Sequence, residues 1–492
     1  MLKSVITPLD LRVESKQMKF LGTIFLGILF FLYSGEKGTL LDKIRASGEL
    51  QVVTLYGLTT YYENANGQIS GFEYDLAKRF ADELKVKLRL LVVDNRAEVF
   101  QQVINQEVHF AAAGLAVTPP RQSLVRFGPP YQQVTQKFVY RYGSLSPPSR
   151  LTDLTPYHQL NVLADSHQID ILKNLKKEYP QLTWQEWPKI ATNDLLKQVK
   201  DKKLHYALAN SHEVAKMRLL YPQLEVGFEL PHINRLAWAF PRNSPDNSLY
   251  MAAIEFFNRL QRQGEIEQLL ERYYGHLLNA KDFNYVNTRA FLRRIKKRLP
   301  LYEKHFKLMA KKYNLDWRLL AAIGYQESKW NPKAVSGTGV KGLMMLTKST
   351  AEEMGVKNRR DPFESIQGGT KYFVGLKKRL SDIPEPDQTW FTLAAYNVGL
   401  GHLRDAIKLT EKLGDNKERW TGVKQHLPKL TQPHWYNQTK YGYARGHEPV
   451  QFVTNVRRFY NILVITNLLD KTEQPKQIKD NEKGLEKNTK IY

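Results

Sequence analysis

Residues 317–328 have the sequence WRLLAAIGYQES, and this stretch decides the fold of the C-terminal half of the chain. Leu319, Leu320 and Ile323 are spaced as the apolar stripe of a helix, and Glu327 follows Ile323 by four residues, on the same stripe. A carboxyl group on a packed surface is costly to ionise, so its pKa is expected to rise. A general acid near neutral pH needs this property, although the spacing also fits a Glu at a helix end that reaches solvent.

Helical periodicity extends through the sequence around this stretch. After about residue 285, apolar residues recur with a helical period in segments 291–299, 302–313, 317–327, 372–380, 390–396 and 450–469. No segment after Trp317 has the alternation of a strand. The C-terminal half is therefore predicted to be all-α.

Two further motifs follow Glu327. Residues 337–346 (GTGVKGLMML) form a glycine-rich stretch, and glycine allows backbone to approach a ligand closely. It leads to Ser349-x-x-Glu352, a capping-box pattern that predicts a helix start. Tyr396 and Asn397 then place an aromatic ring and an amide at a predicted helix end, and both groups suit a sugar cleft.

In this order the motifs resemble the family-1 lytic transglycosylase (SLT) domain, which has a lysozyme-like fold of the goose type. The resemblance is carried by Glu327-Ser328, Gly342-Leu343-Met344, Ala395-Tyr396-Asn397 and Glu448-Pro449. It implies that Glu327 is the single catalytic carboxylate and that no metal or other cofactor is required. It also implies substrate contacts from Ser328, Met345, Tyr396, Asn397 and Glu448. Met345 departs from the family, which usually has Gln at that position.

The resemblance implies cleavage of peptidoglycan glycan strands between N-acetylmuramic acid and N-acetylglucosamine, with formation of a 1,6-anhydro end. Hydrolytic glycosidases usually need two carboxylates, and Asp361, Glu364 and Glu448 are the distant candidates for a second one. Two alternatives stay open: a hydrolytic lysozyme, and a peptidoglycan-binding or sensing protein whose lysozyme-like domain is inactive.

The N-terminal half has a different pattern. Between about residues 40 and 275, predicted strands (50–53, 90–93, 110–115 and 160–163) alternate with predicted helices (74–84, 99–104 and 169–175). Such alternation is typical of α/β layering with parallel sheets.

This half resembles the periplasmic solute-binding domain, family 3, through Gly71-Phe72-Glu73-x-Asp75, Thr118-Pro119-x-Arg121 and Phe127-x-x-Pro130-Tyr131. The resemblance implies a two-lobed, non-catalytic domain with a regulatory role. It makes Arg121 the residue that binds a ligand carboxylate, and a planar guanidinium suits bidentate capture. Asn210 stands where the family usually has an amine-binding Asp, so a charge is lost. A muropeptide stem fragment, an amino-acid-like ligand and no ligand remain alternatives.

The order of the two modules resembles the family of membrane-bound lytic murein transglycosylases F. The predicted division is an N-terminal signal or anchor segment (1–36), a solute-binding-like domain (40–278), a junction (279–300), a transglycosylase domain (301–470) and a tail (471–492). The tail is polar and charged, and is predicted to be disordered.

The N-terminus and the charge balance bear on location. Residues 20–33 (FLGTIFLGILFFLY) are shorter than the ~20 residues needed to span a bilayer and suit the apolar core of a signal peptide. The chain contains no Cys, which excludes disulfides and a lipid-modified cysteine. An exported protein is predicted, and the resemblance implies peripheral attachment to the periplasmic face of the outer membrane. An uncleaved inner-membrane anchor is the alternative.

Lys and Arg number 73 against 49 Asp and Glu, a net charge of +24 that favours polyanionic surroundings. The densest basic run lies at Arg293, Arg294, Lys296, Lys297 and Arg298, and is predicted to be one solvated helix face. No nucleic-acid-binding motif accompanies it, so nucleic acid is not an expected partner.

Overall fold

The computed structural model describes residues 38–63, 69–144, 147–155, 159–188, 190–278 and 285–472. The predicted signal segment (1–36) and all but two residues of the predicted tail (471–492) lie outside the described residues.

The N-terminal domain has two lobes. The first lobe contains α1 (Leu40–Ser47), β1 (Glu49–Leu55), β2 (Tyr62–Glu63), β3 (Ile69–Ser70), α2 (Phe72–Glu83), β4 (Lys87–Val93), α3 (Arg96–Ile104), β5 (Phe110–Ala116), α4 (Pro119–Gln122) and β6 (Val125–Phe127). The second lobe contains β7 (Gln132–Arg141), a 3-10 turn (Leu151–Asp153), β8 (Leu160–Leu163), α5 (His167–Glu178), β9 (Trp184–Trp187), α6 (Thr192–Lys200), β10 (Tyr206–Asn210) and α7 (Ser211–Leu220). The chain then returns through β11 (Leu224–Pro241), α8 (Ser248–Arg262), α9 (Glu265–Leu270), a π-helical turn (Glu271–Gly275) and α10 (His276–Leu278).

Nine of the described strands form one sheet across both lobes, in the order β4-β1-β5-β11-β7-β10-β8-β9, with β6 beside β11, while β2 and β3 form a separate two-stranded sheet. The parallel sheet predicted from the sequence is corrected to a mixed one, because β7 runs antiparallel to β10 and β11, and β11 runs antiparallel to β5 and β6. Both β7 and β11 are long strands that carry the chain directly from lobe to lobe, so no helical crossover enforces a parallel direction there.

The chain from residue 285 to 472, which includes part of the predicted junction, is helical, as predicted for the C-terminal half. Its elements are α11 (Tyr285–Lys297), a 3-10 turn (Leu299–Leu301), α12 (Glu303–Tyr313), α13 (Trp317–Ser328), α14 (Lys348–Met354), α15 (Pro362–Lys378), α16 (Asp387–Val398), α17 (Leu400–Lys412), α18 (Trp420–His426), a 3-10 turn (Leu427–Thr431), α19 (Pro433–Tyr436) and α20 (His447–Thr472). Within residues 285–472 the only β pairing is isolated bridges near residues 335–346. The start of α14 differs from the predicted capping box: Thr347 is its N-cap, because the Thr347 hydroxyl accepts a hydrogen bond from Thr350 N at 3.0 Å.

The core of this domain forms around α13, which packs against α12 and α20. Leu320 and Ile323 of α13 are fully buried there with Phe306 and Val456, so the apolar stripe predicted from spacing is the packed face. Among the described residues, no helix combines the length and apolar character needed to cross a bilayer.

The basic run on α11 is divided between two faces, rather than forming the single solvated face predicted. Arg294 donates to the Tyr325 hydroxyl at 3.0 Å, and Arg298 donates to the Lys329 carbonyl at 3.0 Å, so both point toward the end of α13. Arg293, Lys296 and Lys297 are exposed.

The two domains pack directly against each other. Glu271, in the π-helical turn after α9, lies 2.6 Å from Arg457 of α20 and 2.6 Å from Lys424 of α18. Leu219 of α7 is part of the buried core of the helical domain. These contacts place α7 of the second lobe and the turn after α9 against the helix bundle.

Candidate active site

The ends of α13 place Glu327 in the last turn of the helix. At the start, the Asp316 carboxylate accepts from Arg318 N at 2.9 Å and pairs with the buried Arg318 guanidinium at 2.8 Å. At the other end, Lys329 and Trp330 both have left-handed backbone, with φ of 57° and 55°. Two successive left-handed residues cannot continue a right-handed helix, so the chain turns immediately after Glu327-Ser328.

Glu327 is half-buried in a site surrounded by protein atoms. Burial raises its pKa to about 8, and the ammonium of Lys329 opposes that rise. The pKa of the Tyr396 phenol is raised well above its ordinary value by burial and, to a smaller extent, by Glu327. The structure therefore brings Glu327 and Tyr396 into one site, where the Glu327 carboxyl is protonated at neutral pH.

Ser328 connects the last turn of α13 to the glycine-rich loop. Its hydroxyl donates to the Leu343 carbonyl at 2.7 Å and accepts from Asn331 N at 3.1 Å. From the opposite side, the Tyr396 hydroxyl donates to the Met344 carbonyl at 3.0 Å. The loop beside Glu327 is thus held from both sides through its own carbonyl groups.

Gly342 and Met345 shape this loop. Gly342 has φ of 90°, and a Cβ there would lie 1.8 Å from the Arg359 carbonyl oxygen, so only glycine fits. Met345 is also left-handed, with φ of 48°, and is half-buried. It stands one residue beyond the carbonyl that Tyr396 holds.

Asn397 and Glu448 lie at the surface. Both are exposed, and the Glu448 carboxylate pairs with Arg445 at 3.2 Å at the start of α20. In the described part of the chain, neither is hydrogen-bonded or ion-paired to Glu327. Two aromatic residues beside Tyr396 complete the inner site: Tyr372, at 5.3 Å between ring centroids, and Phe452, stacked at 6.3 Å. Tyr372 was not predicted, because nothing in its local sequence separates it from a core aromatic.

The three other candidate carboxylates have partners of their own. Asp361 accepts from Glu364 N at 2.8 Å as the N-cap of α15, and Glu364 accepts from Lys357 N at 2.7 Å. The Glu448 carboxylate forms an ion pair with Arg445. Burial and Lys329 account for the pKa of Glu327, with no contribution from a second carboxylate in the described structure. Among the described residues there is also no group of three His, Cys, Asp or Glu able to hold a metal ion.

In the solute-binding-like domain, Arg121 is buried and joins the two lobes. Its guanidinium donates to the Ala116 carbonyl at 3.3 Å and to the Asp165 carbonyl of the second lobe at 2.7 Å, and it packs 5.1 Å from the Phe100 ring. Burial, with a smaller contribution from the neighbouring Arg96, lowers its pKa to about 10. The Arg121 guanidinium, which was predicted to bind a ligand carboxylate, is hydrogen-bonded to backbone carbonyl groups instead.

The interlobe cleft encloses about 210 Å³, and Arg121 is not among its lining residues. Asn210 is buried beside the cleft, where its Oδ1 accepts from Gln136 Nε2 at 3.0 Å and its Nδ2 donates to Glu213 at 2.8 Å. Glu213 lines the cleft and pairs with Arg96 of the opposite lobe at 3.2 Å. Arg96 and Glu213 were not predicted from the sequence. The signal for Glu213 was an acidic residue three positions after Asn210, in the first turn of a helix.

Comparison with known proteins agrees with both halves of this description. The model of the Transglycosylase SLT domain matches residues 304–418, and the model of the Bacterial extracellular solute-binding proteins, family 3, matches residues 52–276. Among solved structures, the cysteine-binding protein from Campylobacter jejuni aligns with a TM-score of 0.44 and 18% identity, covering 51% of this chain and 98% of its own.

Several relatives match across both domains. The membrane-bound lytic murein transglycosylase F of Pseudomonas fluorescens is 45% identical over 430 residues, which cover 87% of each protein. The membrane-bound lytic murein transglycosylase F 1 of Alkalilimnicola ehrlichii is 45% identical, covering 87% of this chain and 86% of its own. That of Saccharophagus degradans is 43% identical, covering 91% and 88%. With both domain models matched in the predicted order, the chain belongs to the membrane-bound lytic murein transglycosylase F family.

Proposed function

We propose that this protein is a peptidoglycan lytic transglycosylase in which Glu327 is the catalytic acid and base. The observation that carries the proposal is a single carboxyl group whose pKa is raised to about 8 by burial, while Asp361, Glu364 and Glu448 are bonded elsewhere. One carboxyl group suffices when the substrate supplies its own nucleophile, whereas hydrolysis usually needs two.

The proposed reaction has two proton transfers through Glu327. The protonated carboxyl first donates its proton to the glycosidic oxygen that leaves C1 of N-acetylmuramic acid. The 6-hydroxyl of the same sugar then attacks C1, and the Glu327 carboxylate accepts the hydroxyl proton. The bond from C1 to the leaving oxygen breaks, a bond from C1 to O6 forms, and no water is consumed. Because attacker and target belong to one sugar, the step has the advantage of an intramolecular reaction.

The other predicted site residues take different roles in this proposal. Tyr396 and Met345 lie beside the reacting sugar, and Ser328 acts as a positioning residue because its hydroxyl is occupied by backbone groups. Asn397 and Glu448 are exposed and would contact more distant sugars of the glycan strand. We retain the predicted domain limits of 40–278 and 301–470, with the junction at 279–300.

The first test is Glu327→Gln, assayed for release of soluble muropeptides from purified sacculi. We expect a loss of at least about 100-fold, because the amide cannot donate the proton and general acid catalysis is typically worth 10²–10⁴. The matched control is Glu352→Gln, an exposed carboxylate on α14. Mass spectrometry of the wild-type products should show 1,6-anhydromuramic ends. Reducing ends throughout would make the protein a hydrolytic lysozyme, and activity retained in Glu327→Gln would end the assignment.

For its location, we propose peripheral attachment to the periplasmic face of the outer membrane. The outer face of α12 carries the exposed cations Lys304, Lys307 and Lys311, and two leucines near them, Leu301 and Leu308, are 65% and 60% exposed. Cations with aliphatic side chains between them fit an anionic bilayer surface. Co-sedimentation with vesicles containing anionic lipid should fall on double substitution of Lys304 and Lys311 by Glu. Equal sedimentation of the variant would place attachment elsewhere.

For the solute-binding-like domain, we propose a regulatory role with a peptide-stem or amino-acid-like ligand. A ligand entering the cleft meets the Arg96–Glu213 pair, and Arg121 connects the same two lobes. Turnover of sacculi with and without stem peptides is the test. Coupling free energies commonly change a rate by roughly five- to 150-fold, and we expect Arg121→Ala to lose that change. If no peptide alters the wild-type rate, the regulatory role is wrong.

A further inference from the structure

A second cavity, of about 810 Å³, lies between the two domains and is separate from the site of Glu327. It is bounded by α7 and the turn after α9 on one side, and by α16 and α20 on the other. It reaches α13 at Asp316 and Leu319, at the end of the helix opposite to Glu327. Neither the catalytic proposal nor the interlobe cleft uses this space.

Positive charge dominates the lining, which holds the cations Lys216, Arg272, Lys377 and Arg457. Three of these have carboxylate partners: Arg272 pairs with Asp75 at 3.0 Å, Lys377 with Glu385 at 2.6 Å, and Arg457 with Glu271 at 2.6 Å. The remaining acid of the lining, Asp316, is held by Arg318 at 2.8 Å. These pairs leave no lining carboxylate for Lys216.

Lys216 is only 4% exposed, and within the described residues its ammonium has neither a hydrogen bond nor an ion pair. Its Nζ lies 5.5 Å and 5.8 Å from the rings of Tyr273 and Tyr274. Burial, with smaller contributions from Arg457 and Arg272, lowers the pKa of Lys216 to about 8. An ammonium that is buried without a counter-charge is costly, and a bound anion would remove that cost.

His276 lines the same cavity but offers it no free donor. The ring is buried, and burial lowers its pKa well below the ordinary value, so the imidazole is neutral. Its Nε2 lies 2.5 Å from Nδ2 of Asn461. Its Nδ1 has no hydrogen-bond partner in the described structure, but protein atoms enclose it, so a ligand in the cavity does not reach it. Lys216 therefore supplies the unused donor of this cavity.

We propose that this interdomain cavity is an anion-binding site, in which a carboxylate or phosphate group is held by Lys216. Arg272 and Arg457 border the same space, each already paired with a carboxylate. Tyr62, Tyr74 and Trp390 line other parts of the cavity, which leaves room for an organic body attached to the anion. Lys216 belongs to the solute-binding-like domain, and Arg457 to the transglycosylase domain. The bound anion would therefore fasten the two domains together.

The test uses the full chain and two probes, inorganic phosphate and succinate, titrated by calorimetry at constant ionic strength against chloride. Lys216→Met removes the charge at similar volume, and Lys203→Met is the control because Lys203 is exposed on the same domain. We expect binding to weaken by at least tenfold in Lys216→Met, since a hydrogen bond to a charged group is typically worth about 1.5–3 kcal/mol, and to be unchanged in Lys203→Met. A response to phosphate alone or to succinate alone would identify which anion the site accepts.

The stability of the Lys216→Met variant, measured with and without the probes, is an independent test of the anion site. Without either probe, Lys216→Met should be at least as stable as the wild type, because it removes an unpaired buried charge; saturating probe should reverse the order. Lys216→Arg keeps the charge and should still bind. Failure of both probes to bind the wild type, or equal binding to Lys216→Met, would overturn the proposal. Anomalous density from a crystal soaked in selenate gives a direct answer if Lys216→Met does not fold: a peak beside Lys216 supports the site, and its absence rejects it.

Discussion

The protonation state of Glu327 links local packing to chemistry. A glutamic acid with an ordinary pKa would be ionised at neutral pH and could not act as a general acid. Burial between α13, the Gly342 loop and Tyr396 keeps the proton on the carboxyl, since its pKa rises to about 8. Lys329, two residues later, is the charged group that limits this rise.

The first residue-scale prediction is the pH dependence of the reaction. In the proposed mechanism the protonated carboxyl is the active form, so activity should be retained below the pKa of Glu327, about 8, and lost as the pH rises through it. Initial rates of muropeptide release, measured across that range, give the profile. A rate that increases through the same range would show that the carboxylate is the reactive form.

A substitution at Lys329 tests the physical cause of that profile. Lys329→Met removes the cation that lowers the pKa of Glu327 and leaves a side chain of similar length with the same left-handed backbone. The descending limb should therefore move to higher pH, with the thermal midpoint as the check on folding. Lys333→Met, on the exposed loop that follows, is the control and should leave the limb in place.

The role of a single residue can be predicted from the sequence when the residues that determine it are close in the chain. The raised pKa of Glu327 could be predicted because its cause, the apolar stripe of its own helix, lies within eight residues. Asn210 is predicted to bind a ligand, yet the cleft is lined by Glu213 and not by Asn210. That difference depends on the direction in which α7 leaves β10, and a single sequence does not encode it locally.

At the scale of elements, the geometry of the site depends on the tight loop at Gly342. Gly342→Ala places a Cβ 1.8 Å from the Arg359 carbonyl oxygen and forces an L-residue to φ of 90°. Such backbone strain costs about 1–3 kcal/mol, and the steric clash adds to it. We expect a clear fall in unfolding free energy and in activity, measured by denaturant titration and by muropeptide release.

Gly337→Ala is the matched control for this element. It lies in the same glycine-rich stretch, but a Cβ there meets no atom within 4 Å, and its backbone is not left-handed. It should therefore have little effect on stability. If both substitutions lower the unfolding free energy equally, the close contact at Gly342 does not determine the conformation of the loop.

The structure contains the predicted helices and strands in the segments where the sequence has a periodic apolar pattern. Helices of the C-terminal half and the short buried strands of the first lobe follow from their own sequences, because burial of one stripe or of a whole strand leaves a regular pattern. The antiparallel strands β7 and β11 did not emerge from the sequence. Their direction is fixed by the passage of the chain between two lobes, which is a property of the tertiary fold.

At the scale of the whole molecule, the two domains are joined by a contact that no sequence pattern predicted. Glu271 is buried at this interface and is close to a cation from two different helices of the other domain, Arg457 and Lys424. The residues are separated by more than 150 positions in the chain. Periodicity reports on neighbours in sequence, so it carries no information about such a pairing.

The last prediction is that Glu271→Gln uncouples the two domains. The substitution leaves Arg457, which is as buried as Glu271, without its counter-charge, and loss of one partner of a buried pair typically costs about 3–5 kcal/mol. Because the cost falls on the interface and not on either core, each domain should remain folded. Scanning calorimetry should then show two separated transitions where the wild type shows one. Glu267→Gln, an exposed acid one helical turn earlier, should behave like the wild type. A single transition in Glu271→Gln with an unchanged midpoint would mean that apolar contacts, such as that of Leu219, hold the domains together without the ion pair.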